Sequence, residues 1–111
     1  MPRERDLLPG TLEMLILHTL CRGPLHGYAI AQHIQRASDE LLQVEEGSLY
    51  PALQRLLREA WVVAEWCMSA KNRRVRTYSI TPAGRAQLER EASSFDRLFQ
   101  GISRVMRAAE S

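Results

Sequence analysis

Residues 82–111 constrain this chain more than any other stretch. From Pro82 to about Ala109 they read as one uninterrupted helix in which Leu88, Ala92, Phe95, Phe99, Ile102, Met106 and Ala109 recur at alternating steps of four and three, with Leu98 and Val105 alongside. Thr81 supplies a cap and Pro82 a first helical residue. A helix of that length runs roughly 40 Å at ~1.5 Å per residue, longer than the small body the remaining residues can build beside it. Part of the seam is therefore expected to be covered by a second copy of the chain, and a two-fold homodimer is the commonest solution. The predicted interface runs through Leu88, Phe95, Phe99, Ile102 and Met106. Phe95, Phe99 and Met106 also suit a flat ligand held between subunits, but packing in a dimer core is the preferred reading.

The segment from Glu45 to Leu57, EEGSLYPALQRLL, reads as a short two-faced helix. Leu49, Leu53, Leu56 and Leu57 share one stripe that must be buried. The other side carries Ser48, Tyr50, Gln54, Arg55 and Arg58, all donors long enough to reach a nucleic-acid backbone or base edge. Ser48 is expected to cap this helix, with Pro51 in its first turn, where a missing N–H costs little. A basic segment, KNRRVR, follows at Lys71 to Arg76.

The rest of the chain supplies a small body. Leu12, Leu15, Ile16 and Leu20 keep helical spacing from Thr11 to Cys21, after the boundary at Pro9 and Gly10. Arg22, Gly23 and Pro24 stop that helix. A second runs from His26 to about Ala37 through Tyr28, Ile30, Ala31 and Ile34, with His26 capping or packing at its start. Ser38 to Glu46 is a connecting loop whose Leu41, Leu42 and Val44 are expected to tuck under the helices. After the third helix ends near Glu59, Trp61 to Trp66 and Arg76 to Ile80 are strand candidates forming a hairpin. Its tip, Met68 to Val75, holds Lys71, Arg73 and Arg74 and can project as a wing. Trp61 and Trp66 are expected in the core.

One helix with a donor-rich outer face, followed by a basic hairpin, is the layout of a winged helix-turn-helix that binds double-stranded DNA. The fold class is thus mostly α with a small β-hairpin. Residues 1–81 form the DNA-binding unit and 82–111 a dimerisation helix, in one compact unit with the first. Charge distribution agrees. The whole chain carries only +2, yet from Gly47 to Arg85 seven cations meet two anions, a local excess of +5. The expected DNA contacts are Tyr28, Ser48, Tyr50, Gln54, Arg55, Lys71, Arg73 and Arg74.

Other classes find little support. With 111 residues, 45% hydrophobic and 25% charged, the chain is sized for one ordinary domain. No apolar run approaches the roughly 18 residues a membrane span needs, and a cytoplasmic protein is expected. Cys21 and Cys67 form no CxxC pair and read as reduced, buried small hydrophobes. His18, His26 and His33, eight and seven residues apart, form no metal-ligand pattern, and no cofactor or metal is expected. No GxSxG or comparable nucleophile and base arrangement points to an enzyme. The rival reading is a winged helix used as a protein-interaction module, its basic face serving an acidic partner.

Four stretches carry a resemblance over nearly the whole length: LPGTLEMLIL from Leu8 to Leu17, GPLHGYAI from Gly23 to Ile30, EEGSLYPALQRL from Glu45 to Leu56, and RRVRTYSITPAGR from Arg73 to Arg85. In them the chain resembles the PadR family of bacterial transcriptional regulators, in its smaller size class with a single C-terminal helix. The resemblance implies a homodimeric winged-helix repressor, often controlled by a small aromatic or drug-like effector near the dimer interface. Tyr28, Ser48, Tyr50 and Pro51 fall on the family's motif. One departure is Ala60, where the family commonly has Gly, followed by Trp61 where a smaller apolar residue is usual. If that position is left-handed, Ala60 costs about 1 kcal/mol relative to Gly.

Overall fold

A computed structural model describes residues 9–108. Residues 1–8 and Ala109, the last member of the predicted seam, lie outside the described residues. The elements are α1 (Pro9–Leu20), β1 (Leu25–His26), α2 (Gly27–Ala37), α3 (Glu46–Arg58), β2 (Val62–Met68), β3 (Arg74–Ile80) and α4 (Pro82–Ala108). The strands form one antiparallel sheet in the order β1-β3-β2. The core is where the apolar stripes of three helices meet. Leu12, Ile16, Leu17 and Leu20 of α1 close on Ile30 and Ile34 of α2 and on Leu49, Ala52, Leu53 and Leu56 of α3, with Val62 and Tyr78 entering from the sheet. The mostly helical fold with a small sheet agrees with the sequence reading.

The strand β1 has no counterpart in that reading. Two residues are too few to show a period, yet Leu25 and His26 pair with Tyr78 and Thr77 and anchor the root of the hairpin to the helices. His26 then caps α2 as expected, its Nδ1 accepting the Ala29 N–H at 3.3 Å. The loop after α2 turns through left-handed Asp39 and Glu40, with φ 53° and 66°. The Ser38 hydroxyl braces it by accepting the Leu42 N–H at 3.0 Å and donating to the Gln35 carbonyl at 3.0 Å. Val44 is buried and Leu42 packs on the core, but Leu41 is 70% exposed. The expected tucking of Leu41 is thus corrected. The chain bends at Leu41 and Leu42, with the Leu41 N–H bonded back to the Ser38 carbonyl at 3.1 Å, and this turn carries Leu41 outward while Leu42 and Val44 face the core.

The start of α3 also differs from expectation. The Glu45 carbonyl accepts N–H bonds from Ser48 at 3.0 Å and Leu49 at 2.8 Å, so the helix is already formed at Glu46. Ser48 is its third residue and does not occupy the cap, and Pro51 lies in the second turn. The Gly47 carbonyl thereby loses its i+4 donor, at a point where both residues are exposed and solvent can serve it.

At its other end α3 closes with a left-handed Ala60, φ 60°. The Ala60 N–H bonds to the Leu57 carbonyl and the Trp61 N–H to the Leu56 carbonyl, each at 3.0 Å, the paired bonds of a Schellman cap. Ala60 therefore pays the penalty that glycine avoids. The next residues are stitched to the head of α4. The Thr81 N–H donates to the Trp61 carbonyl at 3.0 Å, and its hydroxyl donates to the Ala60 carbonyl at 2.8 Å while accepting the Gly84 N–H at 3.0 Å. This explains the TPAG string: threonine caps, proline starts the helix, and glycine lets the Trp61 backbone come close. A Cβ on Gly84 would stand 2.1 Å from the Trp61 oxygen.

The hairpin is longer than predicted. β2 and β3 pair in continuous register from Val62↔Ile80 to Met68↔Arg74, leaving only Ser69 to Arg73 as the tip. Strands predicted at Trp61 to Trp66 and Arg76 to Ile80 were short because the outer half lacks hydrophobic alternation. The Ser69 N–H bonds to the Arg73 carbonyl at 2.7 Å, and Asn72 turns left-handed at φ 61°, a conformation asparagine tolerates.

α4 spans 27 residues, and the protein measures 60 × 32 × 23 Å along its principal axes. Leu88 packs against the core, whereas Phe95, Leu98, Phe99, Ile102, Val105 and Met106 are 46–68% exposed. The helix outruns the body, as its length requires. Among the described residues no helix is long and apolar enough to cross a membrane.

Two stability changes follow from the α3–β2–α4 joint. Ala60→Gly should stabilise the fold by about 1 kcal/mol, read as a higher midpoint in urea unfolding. Gly84→Ala should destabilise it by about 3 kcal/mol in the same assay, because the close approach is to backbone that no side-chain rotation relieves.

Candidate nucleic-acid interface

With Leu49, Ala52, Leu53 and Leu56 buried, helical geometry turns Gly47, Pro51, Gln54 and Arg58 outward, and all four are exposed. Ser48 is exposed on one flank of this face and Tyr50 on the other. Tyr50 leans toward the start of α2, where a Cβ on Gly27 would meet its Oη at 3.1 Å. The glycine of HGY is thus the space the tyrosine occupies. Tyr28, in the first turn of α2, stands exposed beside it.

The wing presents a second surface. Register and the two-residue period put Trp66, Met68, Arg74, Arg76 and Tyr78 on one face of the hairpin. The Arg74 guanidinium lies over the Trp66 ring, 4.7 Å from its centroid, and that of Arg76 lies 5.9 Å from the Tyr78 ring. Burial pushes the Tyr78 phenol above its ordinary value, with the Arg76 charge pulling the other way. Tyr28, Tyr50, Trp66, Arg74, Arg76 and Tyr78 line one cleft between wing and helices. Lys71 and Arg73 are exposed at the tip.

Several sequence expectations are corrected here. Trp66 is 58% exposed and belongs to the cleft, while Trp61 does pack on the core. Sequence reasoning did not place Trp66 and Arg76 in this cleft. The available signal was the step of two from Tyr78 back through Arg76 to Arg74. Cys21 and Cys67 are free but only partly buried. Arg55, also expected to contact DNA, turns to α1 and forms an ion pair through its Nε with Glu13, the two side chains being 36% and 19% exposed. Its place on the flank of α3 next to α1 brings that carboxylate within reach. The structure brings the remaining seven predicted contacts onto the outer α3 face, the first turn of α2 and the wing. Among the described residues no group of His, Cys, Asp and Glu could hold a metal.

The family model of the transcriptional regulator PadR-like family matches residues 16–90. The chain belongs to this family. A transcriptional regulator of Mycobacterium tuberculosis is 31% identical over 98 residues, 88% of each chain. A solved transcriptional regulator from Clostridium thermocellum superposes with a TM-score of 0.79 at 27% identity, covering 86% of this chain and 92% of that one. An uncharacterised 37.1 kDa protein of a Streptomyces fradiae transposon is 46% identical over 86 residues, 78% of this chain, which spans only 23% of its length.

The PadR-like match covers every predicted DNA contact, from Tyr28 to Arg74, and Leu88 of the seam. Phe95, Phe99, Ile102 and Met106 lie beyond the matched residues, on the half of α4 that leaves the body. There Phe95 and Phe99 stack with centroids 6.5 Å apart, and Phe95 and Leu98 border a groove against Gly10, Thr11 and Met14 of α1. The two predicted surfaces, one polar and one apolar, are thus held on separate parts of this PadR-like regulator.

Proposed function

We propose that the protein is a sequence-specific repressor that binds a pseudo-palindromic operator as a homodimer. The observation that carries this reading is the juxtaposition of an exposed, donor-bearing α3 face with a wing on which Arg74 lies over Trp66 and Arg76 near Tyr78. Gln54 is the outward residue best able to read a base edge, through bidentate contact to adenine. Tyr28, Ser48 and Tyr50 hold the flanking backbone, and Lys71, Arg73 and Arg74 grip phosphate along the adjoining groove. Residues 1–81 act as the reader, and the helix from Pro82 joins it to its copy. Two copies would set their third helices in successive major grooves, with half-site centres about 10 bp apart or a multiple of that. Operator binding places the work of the protein in the cytoplasm. A small aromatic effector, seated between subunits near Phe95 and Phe99, would release it by shifting one reader against the other.

Selection from a random duplex library, followed by titration of the selected sequence at several salt concentrations, tests the reading. Arg73→Ala removes one phosphate contact from each of the two copies, so it should weaken binding to all sequences and lower the slope of log K against log salt by about 1.8. A chain that selects no sequence, with affinity unaffected in Arg73→Ala, would favour the module for an acidic protein partner and sink the repressor. Phe99→Glu puts a charge into the proposed seam. Sedimentation should then show monomers, and affinity for a two-half-site duplex should collapse toward that of a single half-site; a monomeric unmodified protein would refute the assembly.

A further inference from the structure

Arg55 is the cation on α3 that the body of the protein engages. Its neighbour Gln54 faces solvent, and the two leave the helix about 100° apart. The buried stripe Leu49, Leu53 and Leu56 fixes how deeply α3 sits, but apolar contact is not directional and tolerates some roll about the helix axis. A guanidinium donating through Nε to a carboxylate is directional. The pair is partly buried, so solvent and salt screen it less than a fully exposed bridge. We propose that the Glu13–Arg55 pair is a positioning device for DNA reading: by tying α3 to α1 it sets the roll of α3 and hence the direction in which Gln54 leaves the helix. A roll of about 10° would carry a side-chain tip ~6 Å from the axis by about 1 Å, enough to lose a base contact. The pair is neutral and adds no net charge to the phosphate-facing surface. This inference rests on the reading that α3 binds DNA.

The two roles open to Arg55 predict opposite signs at Glu13. If Arg55 gripped phosphate, Glu13→Ala would free it, remove an anion and tighten binding. If the pair positions α3, Glu13→Ala must weaken binding. The full chain is titrated against the duplex selected above and against a random-sequence duplex of equal length, over a series of salt concentrations. Glu13→Ala, Glu13→Gln and Arg55→Ala should each weaken the selected duplex about tenfold, leave the random duplex within about twofold, and keep the salt slope of the unmodified protein. The double alanine variant should be no worse than either single one, and the reversed pair Glu13→Arg with Arg55→Glu should recover most of the loss.

Tighter binding in Glu13→Ala, or a salt slope lower by about 1.8 for the Arg55→Ala dimer, would overturn the proposal. Equal losses on both duplexes, accompanied by a fall in melting temperature, would also overturn it, since a pair that only stabilises the fold cannot alter discrimination between sequences. Failure of the unmodified chain to select any sequence would overturn the proposed function itself and this inference with it. That outcome is separate from the others because it appears before any variant is made.

Discussion

The Trp61 carbonyl is the point on which the arrangement of this protein turns. It accepts the Thr81 N–H where α3 has just ended, β2 is about to begin and α4 starts. The reader helix, the wing and the long C-terminal helix thus leave one small knot of backbone, and their relative directions are fixed there. Gly84 makes the approach possible and left-handed Ala60 makes the turn. A side chain in place of glycine would push α4 away from the α3–β2 corner. The motion would not stay local, since Leu88 and the α1 contacts of α4 lie immediately beyond.

Much of this was legible before any coordinates, and the failures have identifiable causes. The leucine stripe of α3 is a strongly periodic signal and is buried where the spacing put it, and the periodic residues from Leu88 to Met106 do lie on one helix, α4. The Ala60 conformation was legible through the glycine usual at that place after a helix end, where a left-handed residue favours glycine. The Arg55 pairing was not legible because a helical wheel separates inside from outside but does not say which flank meets a neighbour. Glu13 is distant in sequence, and no local pattern announces the pairing. Trp66 and Arg76 were missed for a different reason. On the outer wing the side chains of one face are aromatic and cationic, so the alternation that marks a half-buried strand is absent. The two-residue β1 carried no pattern at all.

Net charge is a poor guide to the electrostatics of this surface. A chain of +2 has little long-range pull, but the excess of +5 between Gly47 and Arg85 is spread over α3, the wing and the head of α4. Glu13 offsets the charge of Arg55, and Lys71, Arg73, Arg74 and Arg76 put most of the remaining cations of this stretch on the wing. There Arg74 rests on Trp66 and Arg76 near Tyr78. An arginine held against a ring has already lost part of its rotamer freedom, so less ordering entropy remains to oppose a phosphate contact. An exposed indole is costly in isolation, and the use of Trp66 as a platform for Arg74 accounts for its exposure.

The outer half of α4 presents the opposite problem. Phe95, Leu98, Phe99, Ile102, Val105 and Met106 each leave about half or more of their surface to water. Burying a side chain of this kind contributes roughly 1.5–3 kcal/mol, so covering half of each of six on two facing copies would supply on the order of 10–15 kcal/mol. Association itself costs an estimated 4–15 kcal/mol in lost translational and rotational freedom, so the seam sits close to the break-even point rather than far above it. The groove between α1 and α4 therefore matters as much as the seam. If the partner helix also reaches Met14 and Thr11, the additional apolar area tips the balance, and it does so on the helix that carries Glu13. Assembly and the setting of the reader helix would then share one element, which gives a chain this short a physical route for passing a change at its interface to its DNA-facing side.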